Sequence, residues 1–334
     1  MNEAPRIVCY HLNQVGDLLF SLPAIYNLRT RFPNAHIISV ARPSSRSLLQ
    51  LSGLVDEVIE RPHGNFASEF RVAKKIRDRR PDLALLFSTS TAVWVMAQLS
   101  GCREKVGFVH SLGGFLLSKK VEWSPPPSTA NNIRLVQAIG CDVTKRDYVG
   151  LIKLGQKEQD EANRILATAG IGLDERFIVL SPGTSGGREY KCWPDKGFAE
   201  VADMVYAEFG IRSVVVGLDG GEAICSLSSH VVDLTGKTSL TVLAAILERA
   251  SSFVGVDSGA MHLAACMGTP VVALYGPTDP SITGPQDDGH VIVSAGVDCA
   301  PCFGKGCNYD RRCMELITSD EVFRAVAGKI RNSA

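Results

Sequence analysis

The chain has 334 residues, which is enough for two domains that each bury their own core. Hydrophobic residues make up 45% of the sequence and charged residues 21%, a composition that excludes extended disorder. Basic and acidic residues number 35 each, so no overall positive field favours nucleic acid as a partner. Any anionic ligand must therefore be bound by local features.

The N-terminal sequence MNEAPRIVCYHLNQ lacks a charged region followed by a long apolar core, so we expect no secretory signal. No apolar run approaches the roughly 18 to 20 residues that a membrane-spanning helix needs. We therefore expect a cytoplasmic protein. Peripheral contact with the inner face of the cytoplasmic membrane stays open.

Strand and helix patterns alternate in the first half of the chain, as in a doubly wound α/β domain. A strand at 6–12 leads through a turn at 13–17 into a helical pattern. Pro23 fits best in the first turn of a helix capped by Ser21, or marks a kink. Residues 103–129 are predicted to form a long surface loop. Further strands are predicted at 36–40, 56–59, 82–87 and 151–154, and helices at 66–79 and 131–139.

A second alternating series begins after a charged amphipathic helix at 156–169, which we interpret as the connection between domains. Its strands are predicted at 177–181, 213–216, 231–233, 253–256 and 271–274, and its helices at 196–209, 240–249 and 320–331. Two such series predict two Rossmann-like domains with parallel sheets, residues 1–155 and 156–334. We expect the domains to face each other across a ligand cleft.

The stretch FVGVDSGAMHLAACMGTPVVALYGPTDP, residues 253–280, reads as strand, turn, small-residue helix and strand. Ligands of parallel α/β sheets bind beyond the carboxyl ends of strands, and the free N–H groups of a helix start favour phosphate. The turn at Asp257, Ser258 and Gly259, with the amide of Ala260, is therefore a candidate phosphate site. The alternative is that Asp257 only caps the helix.

Two further turns carry residue types that suit a nucleotide. SPGTSGGREYKCW, residues 181–193, can form an anion-binding nest with Arg188 and Lys191 behind it, or is a flexible surface loop. Glu222, in the turn GLDGGE, either accepts hydrogen bonds from ribose hydroxyls or is a solvated turn residue. His262 is either a packed, hydrogen-bonded histidine or a ligand contact.

Two familiar nucleotide motifs are missing. Neither the Gly183 region nor the region 217–221 completes G-x-G-x-x-G, and no G-x-x-x-x-G-K-[ST] occurs, which disfavours dehydrogenases and P-loop phosphotransferases. No D-x-D follows an early strand, so protein donors would have to neutralise a bound diphosphate.

Asp17, between the first strand and the first helix, is a candidate general base that needs desolvation to be effective. The alternative is that it caps the helix.

Four of the ten cysteines cluster in CAPCFGKGCNYDRRC. These are Cys299, Cys302, Cys307 and Cys313. Four thiols could hold zinc or iron tetrahedrally, but the spacing after the initial C-x-x-C is unlike that of paired zinc knuckles. Reduced thiols or a labile disulfide are the alternatives.

Four stretches together resemble the ADP-heptose–lipopolysaccharide heptosyltransferases, glycosyltransferase family nine. They are GDLLFSLPAI at 16–25, PGTSGGREYKCWP at 182–194, the stretch 253–280, and CAPCFGKGCNYDRRCM at 299–314. The likeness runs in order over nearly the whole chain. It implies the GT-B fold, with the acceptor bound by residues 1–155 and the nucleotide sugar by residues 156–334. It also implies inverting transfer from ADP-heptose to a hydroxyl of the lipopolysaccharide core, with no metal or cofactor required.

The resemblance also implies roles for single residues. Asp17 matches the family's proposed catalytic base, and Lys191 matches the basic residue at the departing diphosphate. Asp257 and the amides after it match the turn that holds diphosphate and sugar. The remaining donor-binding candidates are Thr184, Ser185, Glu222 and His262.

The acceptor half carries few residues that match the family, least of all between 103 and 132. Four basic side chains of the acceptor half could bind phosphates of a lipid A and inner-core acceptor, or are solvated loop charges. They are Arg42, Arg46, Lys119 and Lys120.

Three alternative functions stay open. The first is a transferase of the same fold that uses another nucleotide sugar or a protein or small-molecule acceptor. The second is a nucleotide-sugar epimerase or hydrolase, which shares the two-domain design. The third is a non-catalytic sugar-nucleotide binding or assembly protein.

Overall fold

The structure is a computed structural model that describes residues 4–11, 14–61, 66–109, 114–124, 127–184, 188–304 and 306–332. The chain divides into two compact units, Met1–Lys153 and Leu154–Ala334. Each unit is built on its own parallel sheet with helices. No helix among the described residues has both the length and the apolar character needed to cross a bilayer.

The first unit contains a six-stranded parallel sheet. Its strands are β1 Arg6–Tyr10, β2 His36–Ala41, β3 Glu57–Glu60, β4 Leu83–Leu86, β5 Glu104–Phe108 and β6 Lys119–Val121. Its helices are α1 Val15–Arg31, α2 Arg46–Ser52, α3 Phe66–Asp78, α4 Thr91–Leu99 and α5 Ser128–Gln137, with 3-10 turns at Pro43–Ser45 and Gly114–Leu116. The strands lie in the order β3-β2-β1-β4-β5-β6, the doubly wound order of dinucleotide-binding domains.

The second unit repeats this order in its own six-stranded sheet. Its strands are β7 Phe177–Ser181, β8 Arg212–Val215, β9 Val231–Asp233, β10 Ser252–Val256, β11 Val271–Leu274 and β12 Val291–Val293. Its helices are α6 Gln156–Thr168, α7 Asp195–Phe209, α8 Gly221–Leu227, α9 Leu240–Arg249, α10 Gly259–Cys266, α11 Pro280–Thr283, α12 Arg312–Glu315 and α13 Ser319–Asn332. The order β12-β11-β10-β7-β8-β9 is the same winding read from the other edge.

The central strands of both sheets are buried on both faces because helices cover them. In β1, Ile7, Val8, Cys9 and Tyr10 are fully buried, and in β10 Phe253 to Val256 are buried as well. Continuous apolar strands of this kind are typical of parallel sheets. This burial holds the central strands in place, so the residues that follow them have defined positions at the carboxyl edge of each sheet.

Residues 103–129 were expected to form a loop, and this prediction is wrong in part. The segment contributes β5 and β6, which pair in parallel with β4 and with each other. Both strands begin with charged residues, and β6 has only three residues, so neither shows an apolar strand pattern. Lysines suit β6 because it is an edge strand, where charge discourages pairing with other chains.

Two further expectations about secondary structure are wrong. Residues 151–154 form neither strand nor helix, and the backbone N–H of Lys153 donates to Leu51 O in α2. Pro23 lies inside α1 and not in its first turn, because the helix already begins at Val15. Ser21 does not cap this helix, since its hydroxyl donates to Leu18 O within it. Asp17 consequently lies in the first turn of α1.

Candidate functional site

The strand order of the second sheet reverses between β7 and β10, and such switch points are where α/β sheets bind ligands. Two of the predicted site residues follow these strands. Asp257 comes directly after β10, and Lys191 ends the 3-10 turn Glu189–Lys191 that comes after β7. Their side chains meet, with Lys191 Nζ 2.6 Å from Asp257 Oδ2. The structure thus joins two residues that are 66 positions apart in sequence.

The Lys191–Asp257 pair is an almost completely buried ion pair. Lys191 is 8% exposed and Asp257 9% exposed. Nε2 of the buried His262 lies 3.8 Å from Asp257 Oδ1, which is ion-pair range but beyond a hydrogen bond. Burial raises the pKa of Asp257, but His262 and the ammonium of Lys191 outweigh it and hold the pKa below its usual range. Asp257 is therefore an ionised carboxylate between two nitrogen groups.

The helix α10 begins two residues after Asp257, at Gly259, and is capped by the residue between them. Ser258 is the N-cap, and its Oγ accepts from the backbone N–H of Met261 at 3.4 Å. The carboxylate of Asp257 is thus engaged with Lys191 and does not serve as the helix cap. Within the described part of the chain, nothing accepts from the backbone N–H groups of Gly259 and Ala260. First-turn amides of this kind, at the positive end of the helix dipole, favour an anion.

The turn between β7 and Lys191 is closed by a hydrogen bond from Thr184 Oγ1 to Arg188 O at 3.3 Å. Thr184 is half-buried, whereas Ser185 lies outside the described residues. Glu222 is exposed in the first turn of α8, which follows the carboxyl end of β8, the neighbour of β7. These residues share the carboxyl edge of the second sheet, and their contacts with a donor stay predictions.

Asp17 occupies the corresponding place in the first unit, where the strand order reverses between β1 and β4. The N-cap of α1 is Gln14, and Asp17 lies half-buried three residues further along the helix. A carboxylate in a first turn is stabilised by the helix dipole. Asp17 therefore lies at the ligand-binding edge of its own sheet, and its role as the base stays a prediction.

A buried histidine beside this edge was missed from the sequence. His11 follows β1 and is 2% exposed, and its ring stacks on Phe87 at 5.5 Å between centroids. Its Nδ1 lies 2.9 Å from Ser21 Oγ and its Nε2 lies 3.0 Å from Ser39 Oγ. The hydroxyl hydrogen of Ser21 already goes to Leu18 O, so Nδ1 must donate to Ser21 and Nε2 must accept from Ser39. The neutral ring ties α1 to β2.

Acid should destabilise the protein through His11. Burial lowers the pKa of His11 from 6.5 to about 3, so between these values only the unfolded chain binds the proton. The free energy of unfolding should therefore fall by about 1.4 kcal/mol for each pH unit below 6.5 within this window. Urea unfolding at several pH values measures it. His11→Gln keeps a donor and an acceptor but cannot titrate, so it should flatten this part of the slope, and an unchanged slope would contradict the assignment.

The four basic candidates of the acceptor half do not form one cluster. Arg46 is exposed and pairs with Glu60 at 2.9 Å. Lys119 and Lys120 are exposed in β6, four strand positions from β2 and so roughly 19 Å across the sheet. Lys119 Nζ donates to a backbone carbonyl at 3.1 Å. Arg42, at the end of β2, differs from these three because two of its guanidinium nitrogens, Nε and Nη1, are buried and have no hydrogen-bond partner.

The four clustered cysteines line one cavity of about 150 Å³ in the second unit. Sγ of Cys307 accepts from the backbone N–H groups of Tyr309 and Arg311, and Sγ of Cys299 accepts from Arg312 Nε. All ten cysteines are free thiols. In the described ranges, no three His, Cys, Asp or Glu side chains lie in a geometry that could hold a metal ion.

Both sheets have the winding of dinucleotide-binding domains, and the second has a buried ammonium–carboxylate pair and a helix start at its switch point. These features are typical of α/β proteins that bind nucleotides. The model of glycosyltransferase family 9 (heptosyltransferase) matches residues 69–312, more than half of the chain. The chain belongs to this family and is a glycosyltransferase.

Individual relatives agree with the family match. The chain is 28% identical to lipopolysaccharide heptosyltransferase 2 of Escherichia coli K12 over 291 residues, which are 81% of this chain and 82% of the relative. The solved E. coli ADP-heptose lps heptosyltransferase II is 22% identical and has a TM-score of 0.81, covering 98% of this chain and 99% of that one. A family 9 glycosyl transferase from Veillonella parvula is 21% identical with a TM-score of 0.86, covering 99% of both. The predicted GT-B fold class and family are confirmed.

Proposed function

We propose that the protein transfers heptose from ADP-heptose to a hydroxyl of the lipopolysaccharide inner core, with inversion at the anomeric carbon. The observation that carries this proposal is the buried Lys191–Asp257 pair at the switch point of the second sheet. Relatives that are named lipopolysaccharide heptosyltransferases over about four fifths of the chain support the sugar and the acceptor class. Residues 1–155 would bind the acceptor, and residues 156–334 the nucleotide sugar.

The diphosphate would be held by Lys191 and the start of α10. An ammonium group has three N–H donors, and Asp257 takes one, so two remain for diphosphate oxygens. The amides of Gly259 and Ala260 add donors without a competing partner among the described residues. In the proposal, these groups neutralise the leaving group in place of a metal ion.

Asp257 itself carries a negative charge, so it cannot face the diphosphate without repulsion. Its carboxylate is suited to two other tasks. It fixes Lys191 at 2.6 Å, and it can accept hydrogen bonds from hydroxyls of the transferred sugar. Asp257 would thereby orient the sugar while Lys191 stabilises the departing oxygen.

The chemical step would be a single displacement. Asp17 takes the proton of the acceptor hydroxyl, whose oxygen forms a bond to the anomeric carbon as the bond to the diphosphate oxygen breaks. The electron pair of the broken bond stays on ADP, beside Lys191. Because attack comes from the face opposite the leaving group, the anomeric configuration inverts.

The proposal places the enzyme in the cytoplasm, where it would meet the lipid-anchored acceptor at the inner face of the cytoplasmic membrane. The donor would then arrive from solution and the acceptor from the membrane surface. A water-soluble nucleotide sugar would enter the second unit, and the carbohydrate of the acceptor would reach the first.

Nucleoside diphosphates should raise the melting temperature of the protein by an amount that depends on the base. ADP at about 100 times its dissociation constant should stabilise the fold by about 2.7 kcal/mol, or about 5 to 10 °C in a domain of this size. UDP and GDP at the same concentration should give much smaller shifts. Differential scanning fluorimetry measures all three, and a larger shift with UDP would contradict ADP-heptose as the donor.

The epimerase and hydrolase alternatives need no acceptor. We therefore expect ADP-heptose alone to remain intact over the time in which added acceptor is heptosylated. Chromatography of the nucleotide pool measures this. Rapid consumption or epimerisation of ADP-heptose without acceptor would favour those alternatives.

A further inference from the structure

Arg42 and Arg61 lie side by side at the carboxyl edge of the first sheet. Arg42 directly follows β2, and Arg61 directly follows β3. The backbone N–H of Arg61 donates to the carbonyl of Ala41 at 2.8 Å, which holds the two chain segments together. Because the strands are parallel, both side chains start from the edge at which sheets of this winding bind ligands.

Arg42 is half-buried, and two nitrogens of its guanidinium are buried without hydrogen-bond partners. Its Nε and Nη1 are inaccessible to solvent, and neither has an acceptor. No ion pair of the described chain includes Arg42 either, whereas Arg46, one turn further on, is paired with Glu60. Leaving charged N–H groups buried and unpaired is costly, and native proteins satisfy nearly all such donors.

The surroundings of Arg42 add positive charge. Arg61 Nη2 donates to Glu69 Oε1 at 2.8 Å, so this acidic residue is already engaged by the other arginine. Burial, and then the nearby charge of Arg61, lower the pKa of Arg42, while Glu69 opposes them. Two guanidinium groups and one carboxylate leave a net positive charge in a partly buried place.

We propose that Arg42 binds a phosphate group of the acceptor, whose oxygens would supply the missing hydrogen-bond acceptors. This inference rests on the proposed function, since the first unit is the one assigned to the acceptor. A guanidinium has two edges with parallel N–H donors that match two oxygens of one phosphate, Nε with Nη2 and Nη1 with Nη2. Each of these edges of Arg42 includes one nitrogen that has no partner. Arg46, Lys119 and Lys120 are solvated charges and contribute little to acceptor recognition.

The test compares Arg42→Gln and Arg42→Lys with the matched control Arg46→Gln, which removes an arginine four residues away that is exposed and ion-paired. Each protein is assayed with ADP-heptose and a core acceptor that either carries its phosphates or has been treated with phosphatase. The wild type and R46Q should prefer the phosphorylated acceptor by about 10- to 100-fold in kcat/KM. R42Q should lose nearly all of this preference, with the KM for ADP-heptose unchanged.

R42K keeps the charge but not the paired donors, so its preference should fall between those of R42Q and the wild type. The melting temperature of R42Q without ligand should equal or exceed that of the wild type, because the substitution removes an unpaired buried charge. A melting temperature clearly below that of the wild type would show a structural cation and overturn the inference. So would an undiminished preference in R42Q.

A binding measurement separates this inference from the proposed function. With ADP added in excess to fill the nucleotide site, inorganic phosphate should raise the melting temperature of the wild type and R46Q but not of R42Q. If the wild type transfers no heptose and this difference is seen, the function is wrong and the phosphate site stands. If transfer occurs and phosphate stabilises R42Q as well as the wild type, the phosphate site is wrong.

Discussion

Replacing Asp17 with asparagine should abolish heptosyl transfer while the protein remains folded and binds ADP as before. The amide has nearly the shape of the carboxylate but cannot accept the proton of the acceptor hydroxyl. General base catalysis of this kind accelerates a reaction by about 100- to 10,000-fold, so kcat should fall by at least about 100-fold. Single-turnover kinetics with saturating donor and acceptor measure the loss.

A matched control for this substitution is Asp195→Asn. Asp195 also lies in the first turn of a helix, α7 of the second unit, so the change repeats the loss of one first-turn carboxylate. D195N should keep the wild-type kcat. The ADP dissociation constant and melting temperature of D17N should match those of the wild type. Turnover by D17N within a few-fold of wild type, with an unaltered fold, would remove Asp17 from the role of base.

Asp257→Asn should destabilise the protein strongly and also prevent donor binding. The substitution leaves the ammonium of Lys191 buried without its carboxylate at 2.6 Å, and breaking a buried pair in this way costs about 3 to 5 kcal/mol. Denaturant unfolding without ligand measures this loss. The exposed pair of Arg164 with Glu161 is the control, since Glu161→Gln should leave the melting temperature unchanged.

The Lys191–Asp257 pair should also respond to acid. Because the pKa of Asp257 is held below its usual range in the folded state, the stabilisation is present above about pH 4 and is lost as the pH falls further. D257N should lack this dependence. An acid-unfolding profile that is the same in D257N and the wild type would contradict the assignment.

The double variant Lys191→Met with Asp257→Leu separates stability from function. Replacing both members of a buried ion pair by apolar side chains is often neutral or stabilising, so most of the stability lost in D257N should return. Transfer should not return, because the donors for the diphosphate are gone. A double variant that is both stable and active would exclude the pair from catalysis.

Much of the fold follows from the alternation of apolar strands and amphipathic helices. The strands at β1, β4, β7 and β10 are long apolar runs, and these are the central strands of the two sheets. The strands β5 and β6 were missed because short, charged segments become strands only through pairing with a neighbour. The start of α1 was misplaced because packing keeps Pro23 inside a helix that its ring would otherwise interrupt.

The candidate site was less accessible from sequence. Position after a strand identified Asp17, Lys191 and Asp257, because the carboxyl ends of parallel strands share one edge. That Lys191 and Asp257 form a buried pair depends on side-chain packing between loops 66 residues apart. That Nε and Nη1 of Arg42 are buried without a partner likewise depends on which acceptors the neighbouring residues already use, and no spacing rule encodes that.

The central claim is tested most directly by incubating the protein with ADP-heptose and a lipid A and inner-core acceptor that lacks heptose. Mass spectrometry of the acceptor and quantification of released ADP are the readouts. We predict that the acceptor gains one heptose residue, in the anomeric configuration opposite to that of the donor, with one ADP released per transfer. An unmodified acceptor with ADP-heptose, together with transfer from a different nucleotide sugar under the same conditions, would contradict the account.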